Sequence, residues 1–339
     1  MPVRLSLLFK EPSIVLPVAL LLVLFVQAPA AARHVWPVHG TLEGKNGKRS
    51  KDVSGIACTA QQGFPRCCLV IDDNLQAAQF VEVNDGEIQV GDMMSLIDDR
   101  FKGEPLELDG EGVAYADGFF YVIGSHGHPR DREHELGKRE IAARIRASSQ
   151  VVRFRTDGKK ATSPVERTSR LREIIMSQPE LEAYRDRRLE ENGLTIEGIV
   201  IRNGRLFAGF RGPSFNAGRA AVLSVSVDGL FGEAPPDARL WKIPLGDGTG
   251  IRDLAAFQSG ILVLAGPTSS ERGTYSIYWW DGESENVRLL KELSGIVGKN
   301  GKRKAEALLP LEERAAGLRI LLLFDGKKEG AGRSQCANP

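Results

Sequence analysis

Five times along this 339-residue chain an acidic or small polar residue opens an apolar strand, and a second apolar strand ending in a polar loop follows. The first strands open at Ser54-Gly55-Ile56-Ala57, Glu111-Gly112-Val113-Ala114, Glu197-Gly198-Ile199-Val200, Asp253-Leu254-Ala255-Ala256 and Glu306-Ala307-Leu308-Leu309. Their partners follow at 66–73, 119–125, 205–213, 261–267 and 318–326. The opening residues are 57, 86, 56 and 53 positions apart, which is the size of a propeller blade built as a four-stranded sheet. Solenoid repeats are mostly shorter. The pattern therefore predicts an all-β chain folded as a β-propeller, with five blades as the simplest count and room for a sixth in the long second interval.

Three repeats continue past two strands: 77–83 and 87–93 after the first, 220–229 and 238–245 after the third, 275–282 and 286–293 after the fourth. Each is rich in β-branched and aromatic residues and closes on a turn signal such as Asn84-Asp85-Gly86 or Asp281-Gly282. The last repeat runs short after Gly326. Ring closure usually joins the two chain ends in one blade, so 34–44 is expected to supply the missing outer strand of the sheet that holds 318–326. The long interval holds a third strand at 150–158 within an insertion of about 131–192 that carries helical spacing at 137–146 and 171–175. Ser177-Gln178-Pro179-Glu180 opens a further segment that reads as a capped helix ending at Asn192-Gly193. Insertions in a repeat fold collect on one face and often carry the binding site.

Residues 1–32 place Arg4 and Lys10 ahead of an apolar run and finish on Ala28-Pro29-Ala30-Ala31-Ala32, the layout of a cleaved signal peptide. A single domain, 33–339, follows. The expectation is a periplasmic or secreted monomer with no membrane attachment after cleavage. A formal charge of +1 argues against a nucleic-acid partner held by broad phosphate neutralisation. Cysteines in an oxidising compartment predict a disulfide. Cys58 ends the first strand of the first repeat and Cys67-Cys68 begin the second, so the two ends lie opposite one another. Successive strand residues face opposite sides, so only one of Cys67 and Cys68 suits Cys58. Cys336 is left to take the other and tie the C-terminus to the first blade.

First strands start, and second strands end, at one rim of the channel. Glu111, Glu197, Asp253 and Glu306 therefore share a face with Asp72, Asp73, His126, His128, Arg211 and Asp325. Carboxylates around a narrow axis repel one another unless a cation, an Arg or a proton compensates them. An oxygen-rich ring of Glu111, Glu197, Asp253 and Glu306 suits Ca²⁺, and two histidines on the rim shift the preference toward Zn²⁺ or Mn²⁺. In that reading His126, His128 and Arg211 are the catalytic groups. The competing reading makes each acidic residue a lock that accepts backbone N–H groups from the neighbouring blade. No phosphate-binding glycine loop, zinc cysteine pair or Gly-x-Ser-x-Gly elbow is present in the sequence.

The segments at 52–58, 109–128, 192–213, 250–257, 264–267 and 304–311 together resemble the bacterial family of unknown function numbered 3616. Ile196-Glu197-Gly198 and Phe210-Arg211-Gly212-Pro213 are the most specific of these matches. A looser similarity links the pattern to exported propellers with phytase-like esterase activity. That similarity implies a Ca²⁺-supported hydrolase of phosphoester or ester substrates. The alternative is a non-catalytic propeller that recognises a periplasmic protein, a small molecule or a glycan at the channel mouth.

Overall fold

The computed structural model describes residues 34–131, 133–269, 273–293, 304–314, 317–325 and 334–337. The expected signal peptide, most of the basic run at 299–304 and the side chain of Cys336 lie outside the described residues. Among the described residues four sheets have four strands, one has five, and a further pair forms a small ribbon. The first strands of the large sheets are Val53–Cys58, Gly110–Ala116, Thr195–Arg202, Thr249–Phe257 and Lys304–Arg314, each antiparallel to the strand that follows it. The arrangement is a β-propeller.

Why the second strands read as unbroken apolar runs is clear from their packing. Each is covered on both faces, so alternate residues serve different neighbours. Leu69 and Ile71 pack toward the second sheet, whereas Cys68 and Val70 pack toward the fifth. Phe120 and Val122 join the first sheet, Tyr121 and Ile123 the third. Leu262 and Leu264 meet the fifth sheet while Ile261 and Val263 meet the third. Leu321 and Leu323 pack against the first sheet.

Glycine in the second position of the repeat has a steric cause. A Cβ on Gly55 would lie 2.9 Å from Val113 N, one on Gly112 2.9 Å from Ile199 N, and one on Gly198 2.7 Å from Asp253 Cα. Each first strand thus touches the backbone of the next at a distance only hydrogen allows. Beyond this contact the strands line an open, mostly apolar pocket of about 60 Å³, with Ile56, Val113, Ile199, Leu254 and Leu308 on its walls and Arg66 among the lining residues. Arg66, buried at the opposite end of its strand, donates from Nη1 to Pro310 O at 2.8 Å and also to Leu311 O.

Closure follows the expectation only in part. His34–Trp36 joins the fifth sheet as its outer strand, as expected, with Ser334–Ala337 between it and Gly317–Asp325. Val38–His39 leaves that sheet and pairs in parallel with the outer strand of the first, Glu87–Ser95. The segment is divided at Pro37, and each half finds an unpaired edge. Two further expectations are corrected. The strand expected at 220–229 ends at Ser226, whose hydroxyl accepts from Gly229 N at 3.0 Å and caps a short helix, Val227–Phe231. The helix expected up to Asn192-Gly193 spans only Pro179–Glu182, with a separate single turn at Leu189–Glu191. Lys138–Ser148 and Arg170–Met176 are helical as the spacing implied, and their apolar sides pack between the first, second and third sheets.

Cys58 is bonded to Cys68, its direct partner across the hairpin. Cys67 is free and faces the other way, with its Sγ 3.2 Å from where a Cβ on Gly158 would sit.

Candidate functional site

All five first strands skip one residue of the ladder at the same place. Ser54 falls between the pairs Val53–Asp72 and Gly55–Ile71, and Glu111 between Gly110–Gly124 and Gly112–Ile123. Glu197 falls between Ile196–Phe210 and Gly198–Gly209, Arg252 between Ile251–Ala265 and Asp253–Leu264, and Glu306 between Ala305–Phe324 and Ala307–Leu323. A bulge leaves its extra residue unpaired and re-aims the side chain. Around the axis the bulge residues read Ser54, Glu111, Glu197, Arg252, Glu306.

This register corrects the alignment of the fourth repeat by one position. Arg252, not Asp253, is the counterpart of the glutamates. The apolar pattern carried the signal, because Ile251-Arg252-Asp253-Leu254 superimposes on Ile196-Glu197-Gly198-Ile199 when Leu254 is matched to Ile199 rather than to Gly198. Asp253 therefore stands in the glycine position. Its two oxygens accept from its neighbour Leu254 N at 2.8 Å and from Leu308 N of the fifth sheet at 2.7 Å. That is the lock between blades.

Glu197, Arg211 and Glu306 come together around Arg252. Arg211 Nη1 donates to Glu197 Oε1 at 2.7 Å, Arg252 Nε lies 3.1 Å from Glu197 Oε2, and Arg252 Nη2 donates to Glu306. Arg211 is further fixed by Thr268 O at 3.1 Å and Ser269 O at 3.3 Å. All four ring and rim side chains are buried, Arg252 at 2% exposure. Burial works against the charge of Glu197, but Arg211 and Arg252 outweigh it and hold the carboxyl below the ordinary range. Burial pushes Glu306 upward, with Arg252 opposing. Nearby, burial pushes the Tyr275 hydroxyl up to about 12.

Glu111 is different. Among the described residues its carboxylate has no hydrogen bond or ion pair. Burial, then the charges of Glu197, Asp109 and Asp73, push it well above the ordinary glutamate range. Asp73 and Asp109 are also raised, chiefly by burial. All three keep partial solvent contact although protein surrounds them. Asn74 Nδ2 donates to Asp52 Oδ2 at 3.0 Å and to Asp73, gathering these carboxylates along the first sheet. Arg130 stands in the field of Asp109, Glu111, Asp73 and Glu197. Sequence reasoning missed Asp109, which ends the segment before a first strand and adopts φ +52 there.

The histidines do not join the ring. His126 is fully buried at φ +55, with neither ring nitrogen partnered, and burial followed by the Arg172 charge lowers it to about 3. Its carbonyl accepts from Arg172 of the insertion. His128 is half-buried with Nδ1 3.1 Å from Pro129 O.

Among the described residues no three His, Cys, Asp or Glu side chains converge as a metal site. The Ca²⁺ that the esterase resemblance implies does not fit the ring as built. Glu197 and Glu306 already share a guanidinium, Asp253 spends both oxygens on backbone N–H groups, and only Glu111 keeps its oxygens free.

Fold and ring together define a β-propeller whose axial mouth is lined by ionisable bulge residues. The chain belongs to the family described as "Protein of unknown function (DUF3616)", matched over residues 67–153 and 136–336. No curated protein matches the sequence. Among solved structures the chain is similar to the Bacteroides ovatus protein titled "Xyloglucan PUL GH43B", with 13% identity, TM-score 0.47, and 91% of this chain and 54% of that one covered. It is also similar to an exo-β-1,3-galactanase from Phanerochaete chrysosporium, with 8% identity, TM-score 0.47, and 90% and 63% covered. A third is the α-L-arabinofuranosidase of Podospora anserina, with 8% identity, TM-score 0.44, and 90% and 97% covered. The chain thus spans less than two thirds of the length of the first two.

Proposed function

We propose that the protein is an exported five-bladed propeller that binds a hydroxyl-rich ligand, a glycan, at the channel mouth, with Glu111 at the centre of the site. The observation that carries this reading is the inequality of the ring carboxylates. Glu197 and Glu306 are committed to guanidinium groups, whereas Glu111 is uncommitted and reaches solvent. Asp73 and Asp109 add acceptors beside it, and Arg130 adds donors. Sugar hydroxyl groups both donate and accept, which suits such a mixed lining. Five large sheets joined in a circle support the blade count, and the Cys58–Cys68 bond supports an oxidising compartment.

A second reading has its own observation. Glu111 is pushed toward the protonated form while Glu197, in the next blade, is held ionised. Two carboxyl groups driven apart in this way are the arrangement of an acid and its charged counterpart. That supports hydrolysis of a glycosidic, ester or phosphoester bond with Glu111 as proton donor.

One experiment tests both. The mature protein and Glu111→Gln are compared on a glycan array and then on nitrophenyl glycosides, esters and phosphates. Loss of a buried carboxyl contact predicts about a tenfold fall in glycan affinity for the variant. Turnover that disappears in Glu111→Gln while binding persists supports the hydrolase instead. A protein that binds no glycan and turns over nothing, or a variant indistinguishable from wild type in both assays, overturns the assignment of the mouth.

A further inference from the structure

The ring contains a cation made of protein. We infer that Arg252 occupies the place of a metal ion, and that this one residue makes the mouth of this propeller indifferent to divalent cations. The inference rests on the reading of the mouth as the working site, but concerns what neutralises it.

Three observations carry it. Arg252 sits at the bulge that holds glutamate in the second, third and fifth sheets, so its side chain enters the ring by the same backbone device. Its nitrogens meet the glutamates on both sides, Glu197 at 3.1 Å and Glu306 on the other flank, bridging adjacent blades as an ion would. It is 2% exposed, and among the described residues its one side-chain hydrogen bond goes to Glu306 while Nε and Nη1 have no hydrogen-bond partner, so the guanidinium is held by charge between the two carboxylates and not by a wider network of its own. A hard divalent ion needs several oxygens at short range. Here two of the ring carboxylates face a buried positive charge, and Arg211 adds a second one on Glu197. A cation entering this half of the ring meets repulsion from both.

The converse follows from the same geometry. Without the guanidinium, Glu111, Glu197 and Glu306 are three carboxylates on one ring beside Ser54, with burial and like charge opposing their ionisation. Such a set gains from any cation of suitable size. Arg252 is then the specificity-determining residue that separates a guanidinium-braced ring from a metal-braced one.

The test uses the whole mature protein. Wild type is expected to melt at the same temperature in EDTA and in millimolar Ca²⁺ or Mg²⁺, and to show no Tb³⁺ luminescence that Ca²⁺ competes away. Arg252→Gln is expected to melt several degrees lower in EDTA, to recover at least half of that loss in Ca²⁺, and to gain Ca²⁺-competed Tb³⁺ luminescence. Wild type that purifies with stoichiometric metal, or whose Tb³⁺ signal is removed by Glu306→Gln, overturns the inference. So does an Arg252→Gln protein that folds but ignores divalent ions, or that stays insoluble with and without Ca²⁺. None of these outcomes depends on glycan binding or turnover, which judge Glu111 separately.

Discussion

The two halves of the axial ring use one backbone feature, a bulge in each first strand, toward opposite ends. In the third, fourth and fifth sheets the bulges deliver Glu197, Arg252 and Glu306, which form an alternating chain with Arg211 and neutralise one another. In the first and second sheets they deliver Ser54 and Glu111, and no ion pair links these to a neighbour among the described residues. Paired buried charges hold blades in register, while an unpaired carboxyl in contact with water is available to something else. The difference separates the part of the mouth that is structural from the part that can meet a ligand.

The largest effect expected from breaking this contrast comes from Arg252→Leu. It leaves Glu197 with one cation and Glu306 with none in a buried ring, and removing one partner of a buried pair typically costs about 3–5 kcal/mol. Denaturant unfolding measures it. A loss below about 1 kcal/mol would mean that the braced half is not braced. Replacing Glu197 belongs to the same class.

A smaller effect is expected at Cys58→Ser, on the side of the first sheet that faces the fifth. The bond closes a loop of sequence separation 10, so its removal should cost about 2–3 kcal/mol in the oxidised protein. Reduction of wild type should reproduce the loss. A Cys58→Ser protein as stable as oxidised wild type would show that the inter-sheet cluster around Trp36 and Leu321 holds that seam alone.

Much of this architecture was legible because its causes are local. Residues Phe119 to Gly124 spell a strand covered on both faces, and Gly55, Gly112 and Gly198 mark the approach of adjacent first strands. Cys58 opposite Cys67-Cys68 allowed one bond, and hairpin register selected Cys68. What escaped lay in hairpin register or in pairing between distant segments. Arg252 went unnoticed because a bulge shifts register without changing composition, and Asp253 looked like the acidic residue of the repeat. The division of 34–44 between two sheets depends on where Ser334–Ala337 inserts, which no local pattern announces. His126 looked like a rim ligand, but it is fully buried and neither ring nitrogen has a partner among the described residues.

The smallest effect is the sharpest test of the comparison, because the two halves should respond to pH with opposite sign. Glu197 is held below the ordinary glutamate range, so its contribution is present at neutral pH and is lost as pH falls through its folded value. Glu111 is pushed above that range, so the folded state binds its proton more tightly than the unfolded state does. Its contribution is full at low pH and is lost as pH rises from the ordinary glutamate range through the raised value. In wild type the two slopes act on opposite sides of the ordinary glutamate range, so stability gains from Glu111 as pH falls toward that range and loses from Glu197 below it. Glu111→Gln removes the second and relieves Asp73 and Asp109 of a neighbouring charge, so the variant should be equal to or slightly more stable than wild type at neutral pH, by no more than about 1 kcal/mol. Its stability should also lack the gain that wild type shows as pH falls from neutral toward the ordinary glutamate range. Denaturant midpoints measured from neutral to acidic pH give both quantities. A variant that instead loses several kcal/mol at neutral pH, or whose acid slope matches wild type, would place Glu111 among the braced residues and erase the distinction between the two halves.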